Sequence, residues 1–173
     1  MMVGSFQDWP AFINNAFTWL QPNGYLELQD VESLGCDDTT LTVDPPSCRL
    51  AEWWSHVRQG FKCAGRPMDA ALMHKERMLA AGFVDVQQTL VKWPINTWPK
   101  DKHMKKIGQF SCANTLQGVE AFAMAPLTRY LGWSKDEVQI LAAGAKTDIK
   151  NAGIHAYWNM WVPLSTVSFQ PSS

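Results

Sequence analysis

The sequence predicts an α/β fold, and three observations carry that expectation. Residues Ile154 to Val162 alternate strictly, with Ile154, Ala156, Trp158, Met160 and Val162 on one face and His155, Tyr157, Asn159 and Trp161 on the other. Val84 to Val91 is a strand pattern that follows a glycine. Trp9, Phe12, Ile13, Ala16, Phe17 and Leu20 fall on one helical face, and a Pro-Asn-Gly turn then leads into a strand from Tyr25 to Asp30.

Taken in order, Asp8 is placed to cap the first helix, with Pro10 in its first turn. Residues 31 to 48 gather Gly, Pro, Asp and Thr and read as a loop. Leu50, Trp53, Trp54, Val57 and Phe61 make a second apolar helical face. Met68, Ala71, Leu72 and Leu79 make a third, closed by Gly82 as C-cap. After Pro94 and Pro99, a helix runs from Asp101 to about Met124, and Pro126 opens a further short turn or helix that ends at Gly132. Ser134 and Glu137 form a capping box for the next helix, which Gly153 ends. Pro163 is expected to end the last strand, and the tail Gln170 to Ser173 to fray.

Bulk properties narrow the function classes. A chain of 173 residues, 46% hydrophobic, suits a single domain over residues 1–173. A net charge of −1 gives no basic face for nucleic acid, and the short run Lys100 to Lys106 includes Asp101 and reads as a solvated helix start. No apolar run approaches the roughly 18 residues of a membrane span. The start, MMVGSFQDWP, lacks the basic and apolar regions of a secretory signal. Cys36, Cys48, Cys63 and Cys112 form no CxxC pair, and the histidines complete no zinc pattern, which suggests reduced thiols in the cytoplasm. Nine tryptophans can serve both a core and a pocket for a flat organic ligand.

A series of motifs then points to a family. Trp19 to Asp30, WLQPNGYLELQD, resembles the L-K-P-G-G-Y-L-E-x-x-D stretch of class I S-adenosylmethionine-dependent methyltransferases. Ala80 to Val86 (AAGFVDV), Trp93 to Asp101 (WPINTWPKD), Leu127 to Ser134 (LTRYLGWS) and Ile154 to Tyr157 (IHAY) follow in order. In this order they resemble the fungal LaeA-like methyltransferases of secondary metabolism, over roughly residues 4 to 162. Asn23 and Asn96 stand where the family commonly has glycine, and the tail lacks its Y-G-R-K-P type ending.

The resemblance implies the C-terminal half of a Rossmann-like methyltransferase sheet: three strands in the order 5-7-6, with a large helical lid over residues 49–81 and 101–151. In the family, a glycine-rich loop and an acid hold the cofactor, and both precede the stretch that opens this chain. No two glycines here are closer than Gly60 and Gly65, so no G-x-G exists. The expectation is therefore no bound cofactor, with S-adenosylmethionine present only if a partner supplies the missing half. An open edge on the strand Tyr25 to Asp30 would be covered by a second copy or by a methyltransferase-family protein.

Function is then read as action on a hydrophobic small-molecule intermediate, through cofactor-independent cyclisation, isomerisation or proton transfer. The alternatives are a methyltransferase completed by a partner chain and a non-catalytic pseudoenzyme. Asp30, His103 and His155 are the candidate proton-transfer groups; Trp54, Trp98, Phe110, Glu120, Arg129 and Tyr157 are the candidate substrate-binding residues. Each also has a structural reading: Asp30 as a loop acid, His103 as a solvated helix start, His155 as a packed histidine, Glu120 with Arg129 as an ion pair. No metal site is expected.

Overall fold

The computed structural model describes residues 4–38, 41 and 48–166. The elements are α1 (Trp9–Trp19), β1 (Tyr25–Glu27), β2 (Asp30–Cys36), α2 (Arg49–Cys63), a 3-10 turn (Met68–Met73), α3 (His74–Ala81), β3 (Val84–Pro94), α4 (Lys102–Tyr130), α5 (Lys135–Lys150) and β4 (Ala156–Thr166). The expected loop over 31–48 is thus partly strand, and residues 39–40 and 42–47 lie outside the described residues, as does the tail expected to fray. The chain divides into two compact units. The first comprises residues 1–32, 68–91 and 160–173; the second comprises 33–67 and 92–159. Strands β2, β3 and β4 each give residues to both.

In the first unit, the Asp8 carboxylate accepts from the Ala11 N–H and starts α1, with Pro10 in the first turn. Asn23 takes a φ of 64° in the turn to β1, a conformation asparagine tolerates better than most residues. Helices α1 and α3 pack together. Ile13, Leu28, Met78, Phe83 and Val86 form the buried core, with Phe12, Phe17 and Leu20 against it. Gly82 ends α3 at a φ of 101°, as its place in the sequence suggests.

The expected third apolar face is corrected here. Leu72 and Leu79 are exposed, and the buried positions are Met68, Ala70, Ala71, His74 and Met78. The cause is the 3-10 turn. At 3.0 residues per turn it advances the phase before α3 begins, so a 3.6-residue reading selects the wrong side. Within this unit, α3 packs with α1 and with the 3-10 turn.

The second unit is built on α2, α4 and α5, which pack against one another. Leu50, Trp53, Val57, Val119, Ala123, Leu127, Val138, Leu141, Ala145 and Ile149 are buried. The Trp53 ring N–H donates to the Val119 carbonyl, 3.0 Å away, so the indole is buried with its donor satisfied. The capping box of Ser134 and Glu137 forms with both reciprocal bonds. Pro126 does not open a new element; it lies inside α4. A Cβ added to Gly60 of α2 would stand 2.8 Å from the Pro126 Cβ, so the proline packs where α2 has no side chain. Close packing here offsets the helix hydrogen bond that a proline removes.

Asp148 of α5 reaches the start of α2. Its carboxylate accepts from the Leu50 N–H at 3.0 Å and from the Cys48 thiol at 3.3 Å. Burial pushes the Cys48 thiol up to about 11, and Asp148 adds to the rise. Cys63, by contrast, is exposed. Iodoacetamide at pH 8 is expected to label Cys63 within minutes and to leave Cys48 unlabelled until the protein is unfolded, as read by peptide mass spectrometry. Equal labelling of both in the native protein would contradict this packing.

The sheet is organised by β4, which pairs with β1, β2 and β3. Strand β1 runs antiparallel to it, Tyr25 opposite Thr166 and Glu27 opposite Leu164. The Leu28 N–H continues this register to the Pro163 carbonyl, and further along the Asp37 N–H donates to the His155 carbonyl. Nine steps from Leu28 to Asp37 face eight from Pro163 to His155. One extra residue is thus accommodated between β1 and β2, a β-bulge that divides one edge strand into two. Ile95 donates to the next carbonyl, that of Ala156, on the opposite edge, where β3 lies.

Pro163 does not end β4, which continues to Thr166. The proline lacks a donor, but its carbonyl still accepts from Leu28. Strand β3 also runs further than expected, to Pro94, and Thr89 to Trp93 are all exposed. No helix among the described residues is long and apolar enough to cross a membrane.

Candidate functional site

Within the second unit, the end of β2, the end of β3 and the start of β4 bring polar and aromatic groups together. Gly35 sits beneath the Tyr157 ring: a Cβ added there would stand 2.4 Å from Tyr157 Cε2. The glycine therefore leaves the space the ring occupies. The Lys92 ammonium lies 4.2 Å from the centre of the same ring and 3.3 Å from Asp37. The Tyr157 side chain, and then Asp37, hold the Lys92 pKa above its ordinary value.

Asp38 joins the next turn of chain to β4. One carboxylate oxygen accepts from the Cys36 thiol at 2.8 Å; the other accepts from the His155 backbone N–H at 3.2 Å. Burial first, then Asp38, keeps the Cys36 thiol above its usual pKa, so it donates as a neutral S–H. The same carboxylate lies 4.0 Å from His155 Nδ1. The His155 ring is stacked on Trp98, with centroids 4.8 Å apart and planes 21° from parallel. Its side chain remains 44% exposed. Trp98 is anchored in turn: its ring N–H donates to the Ala156 carbonyl at 2.9 Å.

This cluster unites three of the residues expected from sequence, His155, Trp98 and Tyr157. The others lie elsewhere. Asp30 is fully buried in the first unit, where it opens β2 and meets His74 Nε2 at 3.2 Å. His103 is exposed in the first turn of α4, and Phe110 is exposed on the same helix. Trp54 is buried against Trp158, with ring centres 5.0 Å apart, and belongs to the core. Glu120 pairs with Lys146 at 3.2 Å rather than with Arg129, which is exposed in the last turn of α4. Sequence reasoning did not select Asp37, Asp38 and Lys92 of this cluster, nor His74, the partner of Asp30 in the first unit. The first two lie in the stretch read as loop. No group of His, Cys, Asp and Glu among the described residues is arranged to hold a metal ion.

No family model matches the chain. Curated relatives do. Secondary metabolism regulator LAE1 of Cochliobolus heterostrophus is 36% identical over 167 residues, which cover 94% of this chain and 53% of that protein. Probable methyltransferase tdiE of Emericella nidulans is 32% identical, with 96% of this chain and 52% of that protein covered. Protein-methionine methyltransferase laeA of Emericella nidulans is 28% identical, with 91% and 41% covered. Among solved structures, Haemonchus contortus phosphoethanolamine N-methyltransferase 2, in complex with phosphomonomethylethanolamine and S-adenosylhomocysteine, matches at 13% identity with a TM-score of 0.41. That match covers 97% of this chain and 32% of that one.

These names correct one expectation. A chain without a glycine-rich loop was expected to work without a cofactor, yet its relatives include proteins named as methyltransferases. The glycine argument carries no weight here, because the chain spans about half the length of the curated relatives it matches. The chain is homologous, over nearly all of its length, to the C-terminal half of fungal LaeA-like methyltransferase proteins.

Proposed function

We propose that this chain supplies the acceptor side of a methyl transfer from S-adenosylmethionine, with His155 taking the proton of the acceptor. The observation that carries this reading is the His155 ring, held flat on Trp98 beside the Asp38 carboxylate and still open to solvent. When bound, S-adenosylmethionine supplies a methyl group activated on sulfonium. The groups around His155 are aromatic and acidic, which suits an acceptor that stacks on a ring and gives up a proton.

In this reading, Trp98 offers a flat partner for an aromatic or conjugated acceptor next to the His155 ring. The acceptor O–H or N–H gives its proton to His155 Nε2 as the methyl group arrives, and the imidazolium that forms is stabilised by Asp38 near Nδ1. Lys92, balanced by Asp37, gives the rim a cation that steers an anionic substituent. The substrate class in this reading is a hydrophobic small molecule of fungal secondary metabolism; the name of LAE1 refers to secondary metabolism, and no curated relative cited above is named for a small-molecule substrate.

In the family's numbering, β1 with β2, β4 and β3 read as strands 5-7-6, and α2, α4 and α5 as the helical lid. The outer edge of β1 then receives the half that holds the cofactor, from the same polypeptide or from another chain. Trp19 and Tyr25, 84% and 67% exposed on either side of the turn into β1, support this seam.

The test is transfer of a labelled methyl group by the complete methyltransferase containing this chain. His155→Gln should lower the rate about 100-fold or more, within the span for loss of a general base, while the circular dichroism spectrum stays unchanged. An unaltered rate in a folded His155→Gln protein would end this assignment.

A further inference from the structure

Asn96 is buried, although it stands in a proline-rich loop between β3 and α4. Its side chain uses both ends. The amide N–H₂ donates to the Asn151 carbonyl at 3.1 Å and to the Ile154 carbonyl at 3.4 Å. The amide oxygen accepts from the Trp98 N–H at 2.9 Å. Ile154 immediately precedes His155, and Trp98 carries the indole on which His155 is stacked. One side chain thus fixes the backbone on both sides of the ring pair.

The loop is held from below as well. The Asn96 carbonyl occupies the space where Gly108 of α4 lacks a side chain. The neighbouring Ile95 N–H and the Trp98 ring N–H both donate to the Ala156 carbonyl. Apart from the bond to the Asn151 carbonyl, each of these bonds involves Trp98 or ends on a residue flanking His155. A side chain that merely filled space would not need this directional pattern.

We infer that Asn96 is a positioning residue that sets the Trp98–His155 stack, and so aims the His155 ring. The inference rests on the role proposed for His155, but it is tested without that role. A ring stacked on indole has its carbon-bound protons shifted upfield by the ring current. In the NMR spectrum of the 173-residue chain, the His155 ring protons should resonate upfield of those of exposed His103, and Trp98→Leu identifies and removes that shift.

In Asn96→Ala the His155 shift should fall by half or more, because the loop then loses its side-chain ties to the turn before β4 and to the Trp98 N–H and keeps only the bonds to the Ala156 carbonyl. A purely structural asparagine would lower the melting temperature and leave the ring-current shift of the folded protein intact. That outcome overturns the inference. Should Asn96→Ala fail to fold, Asn96→Ser gives a milder version of the same comparison, with the same two outcomes. Failure of His155→Gln to slow methyl transfer would remove the catalytic reading and leave the NMR result standing, so the two failures are distinguishable.

Discussion

Asp30→Ala is expected to destabilise the protein by about 3–5 kcal/mol, the usual cost of breaking a buried ionic or charge-assisted pair from one side. Asp30 and His74 are both fully buried, with Oδ2 and Nε2 3.2 Å apart. The Trp9 ring lies with its centre 4.3 Å from that of the imidazole. His74 Nδ1 already has no hydrogen-bond partner among the described residues. Removing Asp30 therefore leaves both ring nitrogens without one, inside an apolar setting. Asp30→Asn keeps an acceptor of the same shape and should lose less. Equilibrium urea unfolding measures both, and a loss below about 1 kcal/mol for Asp30→Ala would mean that the pair does not hold this unit together. Any loss of activity in Asp30 variants should then follow the unfolded fraction, which separates it from a catalytic loss.

Gly108→Ala is expected to be comparably damaging, through crowding rather than charge. A Cβ at Gly108 would stand 1.9 Å from the Asn96 carbonyl oxygen and 2.8 Å from the carbon that bears it. Backbone has to move, either in α4 or in the loop, at a cost of about 3 kcal/mol. Gly118 in the same helix is the control, because a Cβ there meets nothing within 4 Å. Gly118→Ala should stabilise the protein by about 0.5–1 kcal/mol from helix propensity alone. Both variants gain the same propensity, so their difference in unfolding free energy isolates the contact with Asn96. Equal values for the two would contradict the close approach of the loop to α4.

The helix starts were legible because capping chemistry is local. Asp8, Asp101 and Ser134 each accept a backbone N–H at the helix start where the sequence placed them. The alternation of the last strand was legible for a similar reason, since period two survives in any short window. What was missed depends on contacts distant in sequence. Pro126 read as the start of a new element and Pro163 as a stop, and each lies inside an element with a partner: Gly60 in one case, the Leu28 N–H in the other. Strand β2 was hidden because the bulge after Leu28 shifts the alternation and Gly35, Asp37 and Asp38 resemble a turn.

The site was partly legible on the same terms. His155 and Tyr157 stand out on a regular strand, and Trp98 lies in a family motif. Asp38 and Lys92 acquire meaning only when β2 and β3 reach their neighbours. His74 carries no local signal, since its partner Asp30 is 44 residues away in sequence. The cofactor was misjudged for a different reason: the chain spans about half the length of the curated relatives it matches, so a missing glycine pair in it is no argument about their cofactor.

The exposed run of β3 has a consequence for the protein in concentrated solution. Thr89, Leu90, Val91, Lys92 and Trp93 form a short window of high β-propensity with one charge and no internal proline, on a strand whose pairing among the described residues is with β4 alone. Such a window is a nucleus for amyloid-like stacking. Lys92 interrupts it with an exposed cation, held by Tyr157 and Asp37 above its ordinary pKa. The lysine therefore acts as a gatekeeper, and colloidal stability comes to depend on one exposed side chain.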